Sequence, residues 1–120
     1  MGSIERGDVF LVNFDPTVGA EIRKTRPAAV VSNDVANTHS PIVSICPISS
    51  NVARVFSFEV EIPPKTGGLR NRSKIMVHQT RAVDNIRLTK KLGHLPGDIM
   101  LKADRALRLH YDPTNAIIIA

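Results

Sequence analysis

The sequence predicts a small, mainly β domain of the β-barrel type that ends in one α-helix. Short apolar runs rich in Val, Ile and Phe alternate with Pro, Gly and Asn clusters, which is typical of strands and turns. Near the C-terminus the apolar spacing changes to a helical period. With 120 residues, 42% of them hydrophobic and 22% charged, the chain is expected to form one domain over residues 1–120.

Six apolar runs are predicted to be strands, and they span residues 8–14, 28–32, 42–48, 56–62, 74–78 and 80–83. The run 56–62 alternates strictly between apolar and polar residues, which predicts one buried face and one wet face. A long polar loop separates the first two runs; a loop of that length in a small domain is either disordered or functional, and its charges favour a function. A second loop over 63–72 is rich in Pro, Gly and Arg and is predicted to be flexible.

Apolar residues at helical spacing predict a helix from Gly97 to about His110, and Pro113 marks its end. Asp98 in its first turn fits the helix dipole. A shorter helical piece is expected around residues 83–91, with Asp84 as its N-cap.

Cys46 is the single cysteine and lies in an apolar run, so it is expected to be a buried structural thiol in a reducing compartment. No apolar run reaches the length of a membrane span, and the N-terminus lacks the apolar core of a signal peptide. The expectation is a cytoplasmic protein with no membrane partner.

The net charge is +5 and the sequence pI is about 9.9. The basic surplus lies in the second half, where residues 61–120 hold 11 Lys and Arg against 5 Asp and Glu. Basic side chains release counterions from phosphates, so this balance favours a polyanionic partner, although solubility alone also accounts for it.

The first loop carries the charged residues Glu21, Arg23, Lys24 and Arg26 between two apolar runs. Arg26 precedes Pro27, which favours an extended backbone there. A guanidinium offers a fork of donors that matches phosphate oxygens and can stabilise charge that develops on a phosphate. The alternative is that Arg26 pairs with Glu21 or Asp34 and only holds the loop.

This segment resembles the MazF/PemK family of toxin endoribonucleases, through the pattern Gly-Asp…Asp-Pro…Gly-x-Glu…Arg-Pro-x-x-Val within residues 6–34. The likeness extends to residues 42–51, 77–88 and the C-terminal helix. It implies an SH3-like barrel of the CcdB/PemK type and a homodimer. It also implies metal-independent, sequence-specific cleavage of single-stranded mRNA through 2′-OH attack, and a cognate antitoxin whose acidic, disordered tail covers the basic groove.

The resemblance assigns the catalytic residues. Arg26 is implied to stabilise charge, with a possible role as proton donor, and Ser49 stands where the family carries a Thr. Serine keeps the hydroxyl that orients a phosphate oxygen, yet Ser-Ser-Asn after a strand is also common turn chemistry. Glu21 occupies the family's Gly-x-Glu position and is a reasonable general base, although pairing with Arg23 or Lys24 accounts for it equally well.

The expected RNA-binding residues are basic, amide or hydroxyl side chains, and they are Asn13, Arg23, Lys24, Ser50, Asn51, Arg54, Arg70, Arg72, His78, Gln79 and Arg81. Each alone is typical of a solvated surface, so only their clustering indicates an RNA site. His78 departs from the family, which usually has an acidic residue there. Aromatic residues make up only 4% and fall mostly at positions predicted to face the core, so base stacking is expected to be minor.

No cofactor and no metal are expected, because the histidines show no ligand spacing with each other or with Cys46. Two other functions stay open from the sequence: a poison of DNA gyrase resembling CcdB, and a non-catalytic module of the same fold that binds RNA or an antitoxin. A homodimer would also cover the open edge of a small barrel. The apolar tail Ile117–Ile119 is predicted to be a last strand or part of that contact.

Overall fold

Seven strands and two α-helices build the fold, which the computed structural model describes for residues 3–16, 19 and 24–112. The strands are β1 (Asp8–Asn13), β2 (Thr25–Val30), β3 (Ile42–Ser49), β4 (Glu59–Ile62), β5 (Ser73–Met76), β6 (Arg81–Asp84) and β7 (Leu88–His94). The helices are α1 (Asp34–His39) and α2 (Gly97–Tyr111), and short 3-10 turns at Val77–Gln79 and Asn85–Arg87 flank β6. The tail Ile117–Ile119 lies outside the described residues.

All strand pairs are antiparallel, in the order β4-β5-β3-β2-β1-β7, with β6 paired to β3. The predicted class, mainly β with a C-terminal helix, is confirmed. In the described part of the chain, however, β4 and β7 do not pair, so the sheet is not closed into a barrel. Helix α2 packs against β4 and the turn Val77–Gln79. Among the described residues, no helix has the length and apolar character needed to cross a membrane.

The prediction of a short helix around residues 83–91 is wrong. Asp84 does cap a turn, since its carboxylate accepts a hydrogen bond of 3.0 Å from the Ile86 N–H. That turn lasts only three residues, and the chain then enters β7, where Leu88 pairs with Val12 of β1. Pairing with a distant strand therefore overrides the local helical pattern.

The strand predicted over residues 56–62 begins three residues later, at Glu59. The Phe56 N–H donates to the Glu59 carboxylate at 3.0 Å, and the Glu59 N–H donates to the Phe56 carbonyl at 2.9 Å. These two bonds close a turn, so Phe56 and Phe58 lie before the strand. The alternation of apolar and polar residues in the sequence therefore begins three residues before the first residue that pairs.

Helix α1 was not predicted, because six residues are too few to show a helical period. Its N-cap was visible in the sequence: the Asn33 side chain accepts a hydrogen bond of 2.9 Å from the Ala36 N–H.

Apolar residues form two cores, one on each face of the sheet. The core against α2 includes Val9, Ala29, Cys46, Ile48, Val60, Ile62, Ile75, Leu95, Ile99, Met100 and Ala103. The other includes Phe10, Val12, Phe14, Ala28, Val30, Val43, Ile45, Val83 and Leu88. Neighbours in β1 and β2 alternate between these cores, as side chains on a pleated strand must. Burial raises the pKa of the Cys46 thiol to about 11, which makes it a structural thiol.

The loop between β4 and β5 folds into a tight turn that docks on β7, rather than the flexible loop predicted. Gly68 has a φ of +80°, and a Cβ added there would lie 2.0 Å from the Leu92 carbonyl oxygen. A Cβ on Gly93 would in turn lie 2.5 Å from the backbone of Gly67. Only glycines allow these two backbones to approach so closely.

Replacement of Gly68 by Ala is expected to lower the free energy of unfolding by at least about 2 kcal/mol, because it adds both a left-handed strain and a backbone clash. Urea denaturation followed by circular dichroism measures this. Gly97→Ala is the matched control, since no atom lies within 4 Å of a Cβ added there. Equal stability of the two variants would contradict the packing described.

Asp8 is fully buried at the start of β1. Its carboxylate accepts hydrogen bonds from the Glu5 N–H at 2.9 Å and from His94 Nδ1 at 2.8 Å, and Lys91 Nζ lies 3.2 Å away. Burial by itself raises the pKa of Asp8, but the bonds from His94, the Glu5 N–H and Lys91 outweigh it, so the pKa is lowered below 3.8. The folded state therefore favours the ionised carboxylate.

A lowered carboxyl pKa contributes stability that is fully present above the pKa of the unfolded chain and is lost as pH falls. Asp8→Asn is therefore expected to lower the free energy of unfolding at pH 5 by about 1–3 kcal/mol. The gap from the wild type should shrink below pH 4. Urea denaturation of both proteins from pH 2.5 to pH 6 tests this. A gap that stays constant with pH would contradict the assignment.

Candidate functional site

A cleft of about 320 Å³ opens where β2 begins and β3 ends. Three segments that are distant in sequence line it, contributing Arg26, Pro27, Ile48, Ser49, Ser50, Asn51, Leu69, Arg70, Asn71 and Ser73. Five of these residues were predicted to be functional from the sequence: Arg26, Ser49, Ser50, Asn51 and Arg70. The fold thus brings together a substantial part of the predicted site.

Strand register explains why Arg26 and Ser49 meet. The β2–β3 ladder pairs Ala28 with Pro47, and continuing this register by two residues sets Arg26 opposite Ser49. At its C-terminal end β3 also pairs with β5, and there Ser49 pairs with Lys74. The β2 ladder itself ends at Pro47, but Arg26 and Ser49 both line the cleft, so both side chains can reach one bound group.

Two local turns fix the end of β3. The Ser49 hydroxyl accepts the Asn51 N–H at 3.1 Å, and the Asn51 side-chain oxygen accepts the Ala53 N–H at 3.3 Å. The turn chemistry expected of Ser-Ser-Asn is therefore present. A hydroxyl that accepts such a bond still has its own proton to donate, so Ser49 can also bind an oxygen atom in the cleft.

The described lining of the cleft is positive and rich in donors. Arg26 and Arg70 are exposed guanidinium groups, and hydroxyl and amide side chains surround them. No carboxylate is among the described residues that line the cleft. Asp34, the described carboxylate that could have paired with Arg26, instead accepts the Arg6 N–H at 2.7 Å and an Asn37 amide hydrogen at 3.2 Å. The arrangement suits a phosphate group.

The neck of the β1–β2 loop is held beside the cleft. The Phe14 N–H donates to the Lys24 carbonyl at 2.9 Å, and the Lys24 N–H donates to the Asp15 carboxylate at 3.1 Å. The Arg87 guanidinium donates to the carbonyls of Asn13 and Asp15, at 3.0 and 2.5 Å. The sequence predicted no role for Arg87, because these bonds cross more than seventy residues of chain.

Asn13 and Lys24, which were predicted to bind RNA, belong to this neck. The Asn13 side-chain oxygen accepts the Asp15 N–H at 3.1 Å, and Lys24 has a positive φ of 64°. Glu21 and Arg23, from the same loop, lie outside the described residues.

Other predicted RNA-binding residues lie in other settings. Arg72 pairs with Glu61 at 2.6 Å on the surface; its hydrogen bond and charge lower the pKa of Glu61 and raise that of Arg72. The Gln79 amide lies 3.9 Å from the Met76 sulfur. Arg81 lies 5.7 Å from the Phe14 ring, and its Nη1 is buried with no hydrogen-bond partner in the described structure. None of these three is among the residues that line the cleft.

Arg54 and His78 sit at the two ends of an aromatic stack. The Arg54 guanidinium lies 5.1 Å from the centre of the Phe56 ring, and His78 meets Phe58 edge-on at 4.7 Å. The sequence analysis assigned no role to these phenylalanines.

One group of side chains could hold a metal ion: ligand atoms of Glu5, Asp8 and His94 lie within 4.8 Å of one another. This group lies at the opposite end of β1 from the cleft. Asp8 already binds His94 and Lys91, and the Lys91 ammonium would oppose a cation there. The group therefore has no geometric link to the chemistry of the cleft.

Comparison with known proteins gives the family. Residues 5–111 match the family model of the PemK-like, MazF-like toxin of type II toxin–antitoxin systems. Endoribonuclease MazF9 of Mycobacterium tuberculosis is 34% identical over 114 residues, covering 91% of this chain and 97% of that protein. Endoribonuclease EndoA of Bacillus subtilis is 36% identical over 107 residues, covering 88% and 92%.

The structure agrees. A crystal structure of MazF from Deinococcus radiodurans superposes with a TM-score of 0.78 at 26% identity, covering 90% of this chain and 96% of that one. The family model spans both the cleft and the helix that packs against the sheet. The chain therefore belongs to the PemK-like, MazF-like family of toxins of type II toxin–antitoxin systems.

Proposed function

We propose that this chain is an endoribonuclease that cuts single-stranded mRNA in the cleft between β2 and β3, without a metal ion. Arg26, Ser49 and Arg70 line one cleft, and no carboxylate is among its described lining residues; this arrangement carries the proposal. The names of the relatives, endoribonucleases MazF9 and EndoA, support the reaction class.

In the proposed reaction, the RNA itself supplies the nucleophile. The 2′-OH next to the scissile phosphate loses its proton and forms a bond to phosphorus, and the bond to the 5′-oxygen breaks. The products are a 2′,3′-cyclic phosphate and a 5′-hydroxyl, which takes up a proton. Arg26 stabilises the negative charge that develops on the phosphate, and it can supply that proton through a water molecule. The Ser49 hydroxyl donates to a phosphate oxygen and fixes its orientation.

The base that removes the 2′-OH proton is proposed to be Glu21. This assignment rests on the family's Gly-x-Glu pattern and on the chemistry of a carboxylate. The described lining of the cleft contains no carboxylate that could take this role.

Ser50, Asn51 and Asn71 are proposed to read bases or sugar along the bound strand, because they line the cleft with both donors and acceptors. Arg23, Lys24 and the other basic residues outside the lining are proposed to attract the backbone over a longer range. The net charge of +5 supports this role.

The chain is further proposed to act as a single domain and a homodimer in the cytoplasm, and to be inhibited by a cognate antitoxin with an acidic, disordered tail. Membership in a family of toxins of toxin–antitoxin systems supports the antitoxin. Ile42 and Ile86 support the dimer: they are 44% and 81% exposed, and Ile42 pairs with Asp84, the last residue of β6 and two residues before Ile86.

The proposed function is tested by incubating the purified protein with a long RNA of mixed sequence in EDTA and mapping the new ends by primer extension. Discrete cuts at a shared sequence are expected. If the protein cuts no sequence context, the nuclease proposal fails. A DNA supercoiling assay then tests gyrase poisoning, and a negative result there leaves a non-catalytic binding module.

Arg26→Ala is expected to lower the cleavage rate at least about a hundredfold, because it removes the charge that stabilises the transition state. Arg26→Lys should recover only part of the rate, since an ammonium cannot form the forked contact. Single-turnover cleavage of a labelled oligonucleotide measures both. Arg105→Ala, on the exposed face of α2, is the control for a lost surface charge. Wild-type cleavage by Arg26→Ala would remove this residue from the mechanism.

Ser49→Ala is expected to lower the cleavage rate about tenfold or more, because a hydrogen bond to a charged oxygen is lost. Ser49→Thr should keep the activity, since the hydroxyl stays and the added methyl restricts its rotation. The same single-turnover assay compares the two variants. If the Ala variant cuts as fast as the Thr variant, the hydroxyl has no catalytic role.

A further inference from the structure

A stack of side chains stands beside the cleft, in the loop that leaves β3. The rings of Phe56 and Phe58 are nearly parallel, with centres 5.1 Å apart and an angle of 5° between their planes. The Arg54 guanidinium lies 5.1 Å from the centre of the Phe56 ring. The His78 ring closes the other end, meeting Phe58 edge-on at 4.7 Å. The order along the stack is therefore the Arg54 guanidinium, the Phe56 ring, the Phe58 ring and the His78 imidazole.

The stack is connected to the cleft in two ways, through the polypeptide chain and through side-chain hydrogen bonds. Its loop begins directly after Asn51, which lines the cleft. Lys74, which pairs with Ser49 across the strands, donates from Nζ to the Arg54 carbonyl at 2.8 Å and to the Glu59 carboxylate at 3.1 Å. The neighbour of the proposed catalytic serine thus holds the loop that carries the stack.

These contacts make the loop rigid. The Lys74 and Glu59 side chains are only 12% and 2% exposed, so the ion pair between them is shielded from solvent. The same Glu59 carboxylate accepts the Phe56 N–H at 3.0 Å. A ring on this loop is therefore held in place before any ligand arrives, which lowers the entropy lost on binding.

Packing of the core does not explain the stack. Phe56 is 43% exposed, and neither phenylalanine belongs to the two buried cores. Arg54 is exposed, and a cation–π contact at such a site is worth about 0.5–1 kcal/mol. An arriving nucleotide can therefore displace the guanidinium, which then pairs with a phosphate while the base takes its place against the ring.

We propose that Phe56, backed by Phe58 and paired with Arg54, is a stacking platform for one unpaired base of the RNA, next to the scissile phosphate. This inference rests on the proposed nuclease function and adds the residues that grip a flanking nucleotide. A flat aromatic face accepts every base, so the platform sets where the strand lies and adds affinity, while the amides of the cleft read the sequence. It reverses the expectation that stacking contributes little.

The test uses 2′-fluoro RNA, which lacks the nucleophile and cannot be cut, so its result does not depend on catalysis. Oligonucleotides of mixed sequence carry 2-aminopurine at one position each, and the site cut by the wild type is included where cutting is seen. Stacking on an aromatic ring quenches the fluorescence of 2-aminopurine. Titration with protein gives both the quenching and the dissociation constant.

The wild type is expected to quench the probe strongly at one position. Phe56→Ala and Phe56→Leu should abolish this quenching and weaken binding about fivefold or more, whereas Phe56→Tyr should keep both. Tyr111→Ala is the matched control, because that ring is 70% exposed and contacts His110 outside the stack. Thermal unfolding verifies that each variant is folded, and Phe56→Leu keeps the apolar bulk if the Ala variant is not.

Unchanged quenching and affinity in Phe56→Leu would overturn the platform and would leave the stack to contact a protein partner. Absence of position-dependent quenching by the wild type would also overturn it. The nuclease proposal is judged separately, by cutting of unmodified RNA by the wild type and not by Arg26→Ala. If the wild type quenches the probe but cuts no RNA, the platform stands and the nuclease proposal fails. If it cuts RNA without quenching the probe, the nuclease proposal stands and the platform fails.

Discussion

The site depends on one constraint: β3 pairs with different strands along its length. At Ile45 the strand pairs with both β2 and β6, whereas at Ile48 and Ser49 it pairs with β5. The β2 ladder stops at Pro47, so the last residues of β3 are open on the side of β2. The cleft forms in this opening, and its lining includes Arg26 from the start of β2 and Ser49 from the end of β3.

Ion pairs form elsewhere in the molecule, whereas the described lining of the cleft is positively charged. Arg6 pairs with Asp104, Arg72 with Glu61, Lys74 with Glu59 and Lys91 with Asp8. The described lining of the cleft, by contrast, contains two arginines and no carboxylate. The described lining therefore carries positive charge that no lining carboxylate opposes, and low exposure of neighbouring groups such as Ile48 and Leu69 strengthens its effect.

Rigid connections surround the cleft on three sides. Arg87 holds the neck of the β1–β2 loop, the turn at Gly67 and Gly68 locks against β7, and Lys74 secures the loop that carries the aromatic stack. These contacts hold groups that are far apart in sequence in fixed positions before any ligand binds. Preorganisation of this kind is what electrostatic stabilisation of a transition state requires.

The sequence by itself determined the class of the fold and helix α2, and it named Arg26, Arg70 and, through the family resemblance alone, Ser49 as candidate site residues. It could do so because apolar periodicity over a long helix reports a buried face directly, and because residue type reports chemistry. Tertiary structure alone decided that residues 88–94 form a strand, that Arg87 holds a loop neck, and that Phe56 stacks in the open. Each of these depends on a partner distant in the chain or on the exact residue where pairing stops, and local spacing carries no information about either.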